Sequence, residues 1–326
     1  MRVLVTGANG FTGGHLARTL AYRGYQVRGL VRRADQAEAL HTAGVDAVVG
    51  DLKQRRTLER AVDQIEIVYH TAAIYRQAGL PVDEYRAVNV AAVRMLIEVS
   101  AAAHVKRLVH CSTVGVHGDV KSPPASEEAP LSPGDVYQRT KVDGEVIARA
   151  AAEETGLPLT VARPSGIYGP GDRRLLKLFR GVARRRFLVL GSGNIFYHLT
   201  YVDDLVEGLR LCGEVPAAAN RTYILAGGEV STLHELVALI AAEAGVAPPT
   251  VRLPVWPFWF AGAVCEAICV PLRIEPPIYR RRVDFFTKSR AFDISKARRE
   301  LGYAPRVGLR EGIGMTLAWY REHGWL

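Results

Sequence analysis

The sequence predicts an α/β protein in which a doubly wound parallel sheet carries helices on both faces. Two observations support this fold class. Short apolar, β-branched runs alternate with helical patterns through the first half of the chain, which is typical of consecutive βαβ units. The runs are also spaced so that a helix fits between them. The predicted strands are 2–5, 25–31, 46–49, 65–71, 107–112 and 159–163, and the clearest predicted helices are 90–103 and 137–155.

Composition limits the class of protein. A chain of 326 residues with 48% hydrophobic and 23% charged residues is typical of a globular protein. The net charge of +9 is concentrated in residues 173–186 and 280–282. No nucleic-acid-reading motif accompanies these cations, so no nucleic-acid partner is expected. They are interpreted as solvated faces, an anion-contacting rim or a patch drawn to acidic lipid.

Four cysteines lack metal or disulfide spacing: Cys111, Cys212, Cys265 and Cys269. Cys265 and Cys269 lie one helical turn apart on an apolar stretch. Buried thiols in a reducing compartment are therefore expected, with a cytoplasmic location and no metal site.

A glycine-rich turn follows the first predicted strand. Gly7, Gly10 and Gly13 give Gly-x-x-Gly-x-x-Gly, and a helical pattern begins directly after them. Glycines at this spacing permit a tight turn, a close approach of a pyrophosphate to bare backbone and close helix–sheet packing. The turn therefore predicts a dinucleotide site that also includes the intervening residues Asn9, Phe11 and Thr12.

Further cofactor contacts are predicted at the ends of the next strands. Arg32 and Arg33 follow Val31, where an enzyme selecting NAD usually carries a carboxylate, and guanidinium groups suit a 2′-phosphate. NADP(H) is therefore favoured, with NAD(H) as the alternative. Asp51 and Leu52 are placed beside the adenine, and the small residues Thr71, Ala72 and Ala73 where the cofactor crosses the sheet.

Tyr137 and Lys141 form Tyr-x-x-x-Lys at the start of a helix, so both side chains share one face. A free phenol, with a pKa near ~10, is a poor base at neutral pH, and a nearby ammonium would favour its phenolate. Thr113 or Ser112, at the end of strand 107–112, would hydrogen-bond the same substrate oxygen. These four residues are the predicted catalytic set.

Together these motifs resemble the extended short-chain dehydrogenase/reductases, the group of NAD-dependent epimerases, dehydratases and 3β-hydroxysteroid dehydrogenases. The likeness spans nearly the whole chain and also includes these stretches: Asn89-Val90, Arg163 to Pro170, Tyr201-Val-Asp-Asp204 and Asp293 to Tyr303. It implies a Rossmann-type fold with a smaller mixed C-terminal substrate lobe. The dinucleotide-binding domain would consist of residues 1–170, with residues 199–226 returning to it. The substrate lobe would consist of residues 171–198 and 227–326.

The resemblance also implies roles for residues. Tyr137 becomes the acid/base and Lys141 its pKa-lowering, ribose-binding partner. Pro164, Ser165, Gly166 and Ile167 lie along the nicotinamide carboxamide, and Tyr75, Thr113 and Tyr197 face the substrate. A homodimer is expected because family members often pair through the helix that carries Tyr137.

Four departures from the family pattern bear on the substrate. Gly166 and Tyr197 stand where nucleotide-sugar members usually carry Asn and Arg, which removes two polar contacts to the sugar nucleotide. Val114-Gly115 replaces the Asp-Glu of the 4,6-dehydratases, and Val31 replaces the acidic residue of NAD-specific members. A simple exchange between ketone and alcohol needs none of the missing groups.

The apolar stretch 253–272 also differs from the sugar-nucleotide pattern. Pro254, Pro257, Glu266 and Pro271 argue against a transmembrane helix. Three interpretations stay open: core packing of the lobe, a lid over a lipid-like substrate, and a surface in peripheral contact with a membrane.

The expected function is therefore an NADP(H)-dependent oxidoreductase that interconverts a secondary alcohol and a ketone on a hydrophobic, sterol-, terpenoid- or phenolic-like small molecule. The alternatives are a nucleotide-sugar epimerase with tightly bound NAD(P) and a non-catalytic NADP(H) sensor. An epimerase needs a diphosphate contact that Arg173, Arg174 and Lys177 would have to supply. A sensor has no use for the Thr-Tyr-Lys set.

Overall fold

The structure is a computed structural model that describes residues 1–77, 79–269, 272 and 280–326. Residues 270 and 271 of the apolar stretch, and the side chains of Arg281 and Arg282 in the basic cluster, lie outside that description.

Strands and helices alternate along the described chain. The strands are β1 (Arg2–Thr6), β2 (Gln26–Val31), β3 (Asp46–Val49), β4 (Ile67–His70), β5 (Arg107–Cys111), β6 (Leu159–Pro164), β7 (Gly166–Tyr168), β8 (Val189–Leu190), β9 (Phe196–Tyr197), β10 (Leu199–Tyr201), β11 (Arg221–Leu225), β12 (Ser231–Thr232) and β13 (Arg252–Leu253). The α-helices are α1 (Phe11–Tyr22), α2 (Ala34–His41), α3 (Arg55–Val62), α4 (Val82–Arg86), α5 (Ala92–Ala102), α6 (Val136–Thr155), α7 (Leu176–Ala183), α8 (Val202–Glu214), α9 (Leu233–Ala244), α10 (Trp256–Cys269), α11 (Arg280–Thr287), α12 (Ser295–Leu301) and α13 (Leu309–Glu322).

Seven parallel strands form the central sheet, in the order β11-β6-β5-β4-β1-β2-β3. The order runs in opposite directions from β1, through β2 and β3 on one side and through β4, β5 and β6 on the other. In such sheets ligands bind beyond the carboxyl ends of the strands at this switch point. The predicted fold class, a Rossmann-type doubly wound sheet, is confirmed.

Two hydrophobic cores cover the faces of the sheet. One lies beneath α3, α5 and α6 and includes Leu4, Leu96 and Leu108; the other lies beneath α1, α2 and α8 and continues into the C-terminal elements. Burial on both faces explains why the strands read as continuous apolar runs rather than as alternating patterns.

The helix predicted at 90–103 is longer in the structure. It begins at Val82, passes through a π-helical turn at Ala87–Ala91 and continues as α5. A π-turn inserts an extra residue into a helix and is often found near functional sites. Asn89 lies in this turn and is buried.

The apolar stretch forms α10, whose burial differs from the core-packing interpretation. Of its 14 residues only Gly262 is buried. The thiols differ from expectation as well, because Cys212 is buried whereas Cys111, Cys265 and Cys269 are half-buried. No helix in the described ranges has both the length and the apolar character needed to cross a bilayer.

Candidate active site

Four strand ends meet at the switch point of the sheet. The register pairs Thr6 with His70, His70 with His110 and Cys111 with Ala162, so the residues that follow β1, β4, β5 and β6 lie side by side. A cleft of about 790 Å³ opens at this edge. The sequence thus places its glycine turn, the loop after β4, the Ser-Thr pair and the segment after β6 around one cavity.

The glycine turn leaves no room for side chains. Gly7 has a φ of +72°, and a Cβ there would lie 2.8 Å from the Cα of Ala72. A Cβ on Gly13 would lie 2.3 Å from the carbonyl oxygen of Gly7 and 2.5 Å from Oγ1 of Thr71. These glycines therefore bring the start of α1 against the ends of β1 and β4.

The N-terminus of α1 is open toward the cleft. Gly10 precedes the helix and provides no side-chain cap, while Phe11, Thr12 and Gly13 line the cavity. The first N–H groups of a helix have no intrahelical acceptor, and they favour an anion. Together with the space kept by the glycines, this terminus fits the pyrophosphate of a dinucleotide.

Some predicted cofactor residues lie outside the cleft lining. Arg33 forms an ion pair with Asp35, whose carboxylate its Nε contacts at 2.8 Å. Arg32 is exposed beyond the end of β2, and its guanidinium forms no ion pair with a described residue. Asp51 accepts a hydrogen bond from the Lys53 backbone N–H at 2.8 Å. Asn9 is exposed, and Leu52 is half-buried.

The catalytic helix α6 is placed by its first turn and by one glycine. Asp135 caps the helix because its Oδ1 accepts the Gln138 N–H at 2.8 Å. A Cβ on Gly144 would lie 2.4 Å from the carbonyl oxygen of Asn89, so only glycine lets α6 approach the π-turn this closely. The Asn89 amide then donates to Thr140 Oγ1 at 3.1 Å and ties the π-turn to α6.

Tyr137 and Lys141 both point toward the strand ends from α6. Tyr137 lines the cleft and packs edge-on against Tyr75, with ring centroids 4.9 Å apart. Lys141 is 1% exposed, and its Nζ donates to the carbonyl oxygen of Cys111 at 2.9 Å. Burial lowers the pKa of Lys141, which lies under the cleft rather than in its lining.

The electrostatics of Tyr137 differ from the prediction. Burial raises the pKa of its phenol above the ordinary value, and Tyr75 and Cys111 raise it further. The cations that oppose this rise are Arg76 and Arg174. Lys141 is not among the main groups that act on this pKa, and its ammonium donates to the Cys111 carbonyl oxygen. In this arrangement burial favours the protonated form of the phenol.

Ser112 and Thr113 occupy different environments. Ser112 donates to Glu145 Oε1 at 2.5 Å, and Glu145 in turn binds Arg163 through contacts of 3.0 and 2.7 Å. Burial raises the pKa of Glu145, but Arg163 and Ser112 outweigh it and the pKa is lowered overall. Among the described residues Thr113 Oγ1 has one hydrogen bond, which it accepts from the Gly115 N–H at 3.0 Å, so its hydroxyl proton has no acceptor there. Thr113 is the hydroxyl better placed to meet a ligand.

Beyond the Tyr137 ring the cleft is lined by C-terminal segments. Its apolar side chains come from regions far apart in sequence: Leu175, Leu178, Phe187, Leu199, Phe285 and Phe286. Phe187 stacks on Phe286 with centroids 5.9 Å apart, and Phe285 packs on Tyr197 at 5.0 Å. Phe187, Phe285 and Phe286 therefore form an aromatic wall within the apolar lining of this end of the cleft.

Two arginines add charge to that wall. Arg76 lies over the rings of Tyr75 and Tyr137, at 5.4 and 5.8 Å from their centroids, and its Nε pairs with Asp135 Oδ2 at 2.7 Å. Arg290 donates to Tyr197 Oη and to the Lys288 carbonyl oxygen, both at 3.4 Å, and pairs with no described carboxylate. Arg290 therefore presents a cation at the substrate end.

The cleft gathers many of the predicted site residues. Those that line it are Gly7, Gly10, Phe11, Thr12, Gly13, Thr71, Ala73, Tyr75, Ser112, Thr113, Tyr137, Pro164, Ser165, Gly166, Ile167 and Tyr197. Those that do not are Asn9, Arg32, Arg33, Asp51, Leu52, Ala72 and Lys141. The roles of both groups remain predictions.

Sequence reasoning missed several residues of the substrate end. Arg76 and Arg290 come from segments without a recognisable motif, and so do Phe285 and Phe286. Asp135 did carry a signal, because an aspartate directly before a helical pattern is a typical N-cap. Nothing in the sequence indicated that its second oxygen would bind Arg76.

Comparisons with known proteins identify the family of the chain. Residues 3–226 match the NAD dependent epimerase/dehydratase family. Sterol demethylase protein B of Methylococcus capsulatus is 31% identical, with 99% of both chains covered. The 3-beta-hydroxysteroid dehydrogenase of Mycolicibacterium neoaurum is 31% identical over 98% of this chain and 92% of the relative. A structure of MoeE5 in complex with UDP-glucose and NAD superposes with a TM-score of 0.78 at 28% identity, covering 99% of each chain.

The predicted resemblance to the extended short-chain dehydrogenase/reductases is therefore confirmed. The family match covers more than half of the chain, and it spans the glycine turn, the Ser-Thr pair and the Tyr-x-x-x-Lys helix around one cleft. This chain belongs to the NAD-dependent epimerase/dehydratase family and is an NAD(P)-dependent oxidoreductase of that family.

Proposed function

We propose that this enzyme uses NADP(H) to interconvert a secondary alcohol and a ketone on a hydrophobic small molecule, of sterol, terpenoid or phenolic type. The observation that carries the proposal is the aromatic wall beyond Tyr137, formed by Phe187, Phe285 and Phe286. Apolar walls with a few polar groups are typical of sites for hydrophobic ligands. The relatives named for sterol demethylation and for 3-beta-hydroxysteroid oxidation support the same substrate class.

The side chains around the cleft fit such a reaction. When bound, the nicotinamide supplies or accepts the hydride at the substrate carbon. In ketone reduction the phenol of Tyr137 gives its proton to the carbonyl oxygen as the new C–H bond forms, and in alcohol oxidation its phenolate takes that proton back. Thr113 donates its hydroxyl proton to the same oxygen and fixes its position.

The substrate should also provide a hydrogen-bond acceptor or a negative charge for the guanidinium of Arg290. A half-buried cation without a carboxylate partner in the described chain favours a substrate with an oxygen-rich or acidic substituent away from the reacting carbon. The apolar wall and this cation together fit an amphipathic molecule better than a plain hydrocarbon ketone.

The main test is consumption of NADPH with a panel of hydrophobic ketones, including steroid, terpenoid and phenolic examples. We expect turnover with some of them and a rate about 10²–10⁴-fold lower with Tyr137→Phe. Turnover confined to small polar ketones would contradict the substrate class. If the wild-type protein reduced none of the ketones and Tyr137→Phe bound the cofactor as well as wild type, a sensor would be supported instead.

The preference for NADP(H) is proposed from the two arginines after β2. Arg33 is already paired with Asp35, so Arg32 is the guanidinium available to a 2′-phosphate. We expect Arg32→Ala to weaken NADP binding by about tenfold or more, since charge-assisted bonds contribute ~1.5–3 kcal/mol. NAD binding should stay almost unchanged, and Arg33→Ala is the matched control. Equal losses for both cofactors would remove the inference.

A nucleotide-sugar epimerase is the second candidate. Arg174 and Lys177 line the cleft, so cations exist that a diphosphate would attract. MoeE5, similar over almost its whole length, was solved with UDP-glucose and NAD. Thermal stabilisation by UDP-sugars or dTDP-sugars, with sugar inversion and no net consumption of cofactor, would favour this reaction over the proposed one.

A further inference from the structure

Helix α10 exposes an apolar face that the proposed reaction does not use. Its residues at four-residue spacing lie along one side of the helix, with Trp259 beside them. The exposed fractions are Trp256 72%, Phe260 63%, Ile268 57%, Trp259 49% and Val264 42%. Gly262, the buried residue, falls on the opposite side. We name these five side chains the α10 face.

Exposed apolar side chains also precede β13 and β8, the two strands next to α10. Strand β13 leads directly into α10 and pairs with β8, with Arg252 opposite Val189. Val251 and Leu188 precede these paired residues, and both are exposed large hydrophobic side chains. A contiguous exposed apolar surface of this kind usually marks a contact with a partner or a lipid phase.

The chain segments that form and adjoin this surface contain several arginines and few carboxylates. Segments 184–190 and 251–265 contain Arg184, Arg185, Arg186 and Arg252 and no aspartate or glutamate. All four arginines are exposed. The one carboxylate of α10, Glu266, is paired with Arg280 through a contact of 2.7 Å. The segments that form and adjoin the surface thus combine exposed apolar side chains with an excess of positive charge.

This charge pattern decides between two occupants. A second copy docked through the same face would bring like charges together, because a two-fold contact pairs each patch with itself. An anionic lipid surface instead satisfies the arginines while the aromatic side chains enter the headgroup region. Tryptophan is also favoured at that depth, since its ring is amphipathic.

The position of the face relative to the cleft adds a reason for such docking. Helix α10 packs on α11, and Phe285 and Phe286 of α11 line the cleft. Phe187, which stacks on Phe286, immediately precedes Leu188 of the exposed surface. The aromatic wall and the α10 face therefore belong to adjoining parts of the same lobe.

We propose that the α10 face docks the enzyme peripherally on the surface of an anionic lipid bilayer. There the cleft can receive a lipid-dissolved substrate. The delivery step rests on the proposed function, whereas the docking step does not.

The docking test is co-sedimentation of the full-length protein with vesicles. We expect binding to vesicles of phosphatidylcholine mixed with phosphatidylglycerol, and weaker binding at high salt. Replacing Trp256 and Phe260 by Ser should reduce the bound fraction about tenfold or more, since each buried aromatic ring contributes strongly to partitioning. Tyr22→Ser removes an exposed aromatic ring from α1 and should leave binding unchanged. Equal thermal stability of the variants would show that they fold.

Brominated lipid gives an independent readout. Its quenching of tryptophan fluorescence should be lost when Trp256 and Trp259 become Phe, because Trp319 and Trp325 pack against each other near the C-terminus. Wild-type protein that stays in the supernatant with acidic vesicles would overturn the proposal. Unchanged sedimentation of the double Ser variant, with a change in oligomeric state, would assign the face to a second copy instead.

Activity measurements distinguish the delivery of a lipid-dissolved substrate from the binding of the enzyme to the membrane. The double Ser variant should reduce a short water-soluble ketone at the wild-type rate and lose most of its activity on a long-chain ketone held in acidic vesicles. If the wild-type enzyme reduces no ketone at all, the proposed function fails, while sedimentation still decides the docking. Equal loss on both ketones would contradict delivery through the α10 face.

Discussion

The cofactor end and the substrate end of the cleft are built in different ways. The cofactor end is built around backbone: Gly7 and Gly13, from one short stretch of sequence, allow contacts that no Cβ would tolerate. The substrate end is made of side chains such as Phe187 and Phe285, which come from distant segments. A backbone site tolerates little change, whereas a side-chain site can be altered in steps. Members of one family can thus share a cofactor and differ in substrate.

The largest effect on cofactor binding should come from adding one methyl group to the cofactor end. In Gly13→Ala the new Cβ would meet the Gly7 carbonyl and Thr71, and overpacking of this kind costs about 1–3 kcal/mol. We expect cofactor binding, measured by calorimetry, to weaken by about a hundredfold or more. Gly228→Ala, where the nearest atom to the new Cβ is Pro305 Cγ at 4.0 Å, is the control. Near-normal binding by Gly13→Ala would show that the turn is more adaptable than its geometry indicates.

The next effect tests the group between the two ends. Tyr137→Phe removes the proton donor and leaves the ring in contact with Tyr75. General acid–base catalysis contributes about 10²–10⁴-fold, so kcat should fall by that factor while cofactor affinity stays constant. A loss of cofactor affinity equal to the loss of rate would mean that Tyr137 acts mainly in binding.

A smaller effect should follow from a change at the substrate end. Asp135→Asn keeps a capping oxygen for α6 but loses the charge that holds Arg76. We expect kcat/KM to fall by about three- to tenfold with little change in thermal stability, because the ion pair is partly exposed. Asp135→Ala, which loses both contacts, should lower the melting temperature as well. Identical behaviour of the two variants would indicate that the charge of Asp135 matters and that its cap does not.

The smallest effect is expected in the pH dependence of reduction. Because burial raises the pKa of Tyr137 above its ordinary value, the phenol is protonated throughout the neutral range. Ketone reduction should therefore change less than about twofold between roughly pH 6 and 9. Alcohol oxidation needs the phenolate and should rise by about tenfold per pH unit over the same range. A plateau in oxidation below about pH 8 would show that Lys141 and bound cofactor lower this pKa, as the sequence motif predicts.

Local sequence carries most of the fold and the cofactor end. The strand before Gly7 and the strands at 46–49 and 107–111 follow directly from apolar runs between turns. The strand predicted at 65–71 is shorter in the structure, where β4 covers Ile67–His70, because the first two predicted residues precede the first ladder pair, Val3 with Ile67. Glycines at fixed spacing identify a backbone turn, since few other residues could occupy it.

The substrate end was not predictable in the same way. Arg76 lies over Tyr137 because of an ion pair across the loop after β4, and Arg290 reaches Tyr197 from 93 residues away. Such contacts depend on tertiary packing and have no periodicity or local motif. The exposure of α10 was equally hidden, because an apolar helix in a core and one on a surface have the same composition.

The carboxylate of Asp135 has a mechanical consequence. One oxygen fixes the first turn of the catalytic helix, and the other fixes the arginine that lies over the Tyr137 ring. A ligand that pushes this arginine aside also pulls on the helix start, two residues before the proton donor. Asp135 therefore couples the binding of a ligand in the cleft to the position of Tyr137.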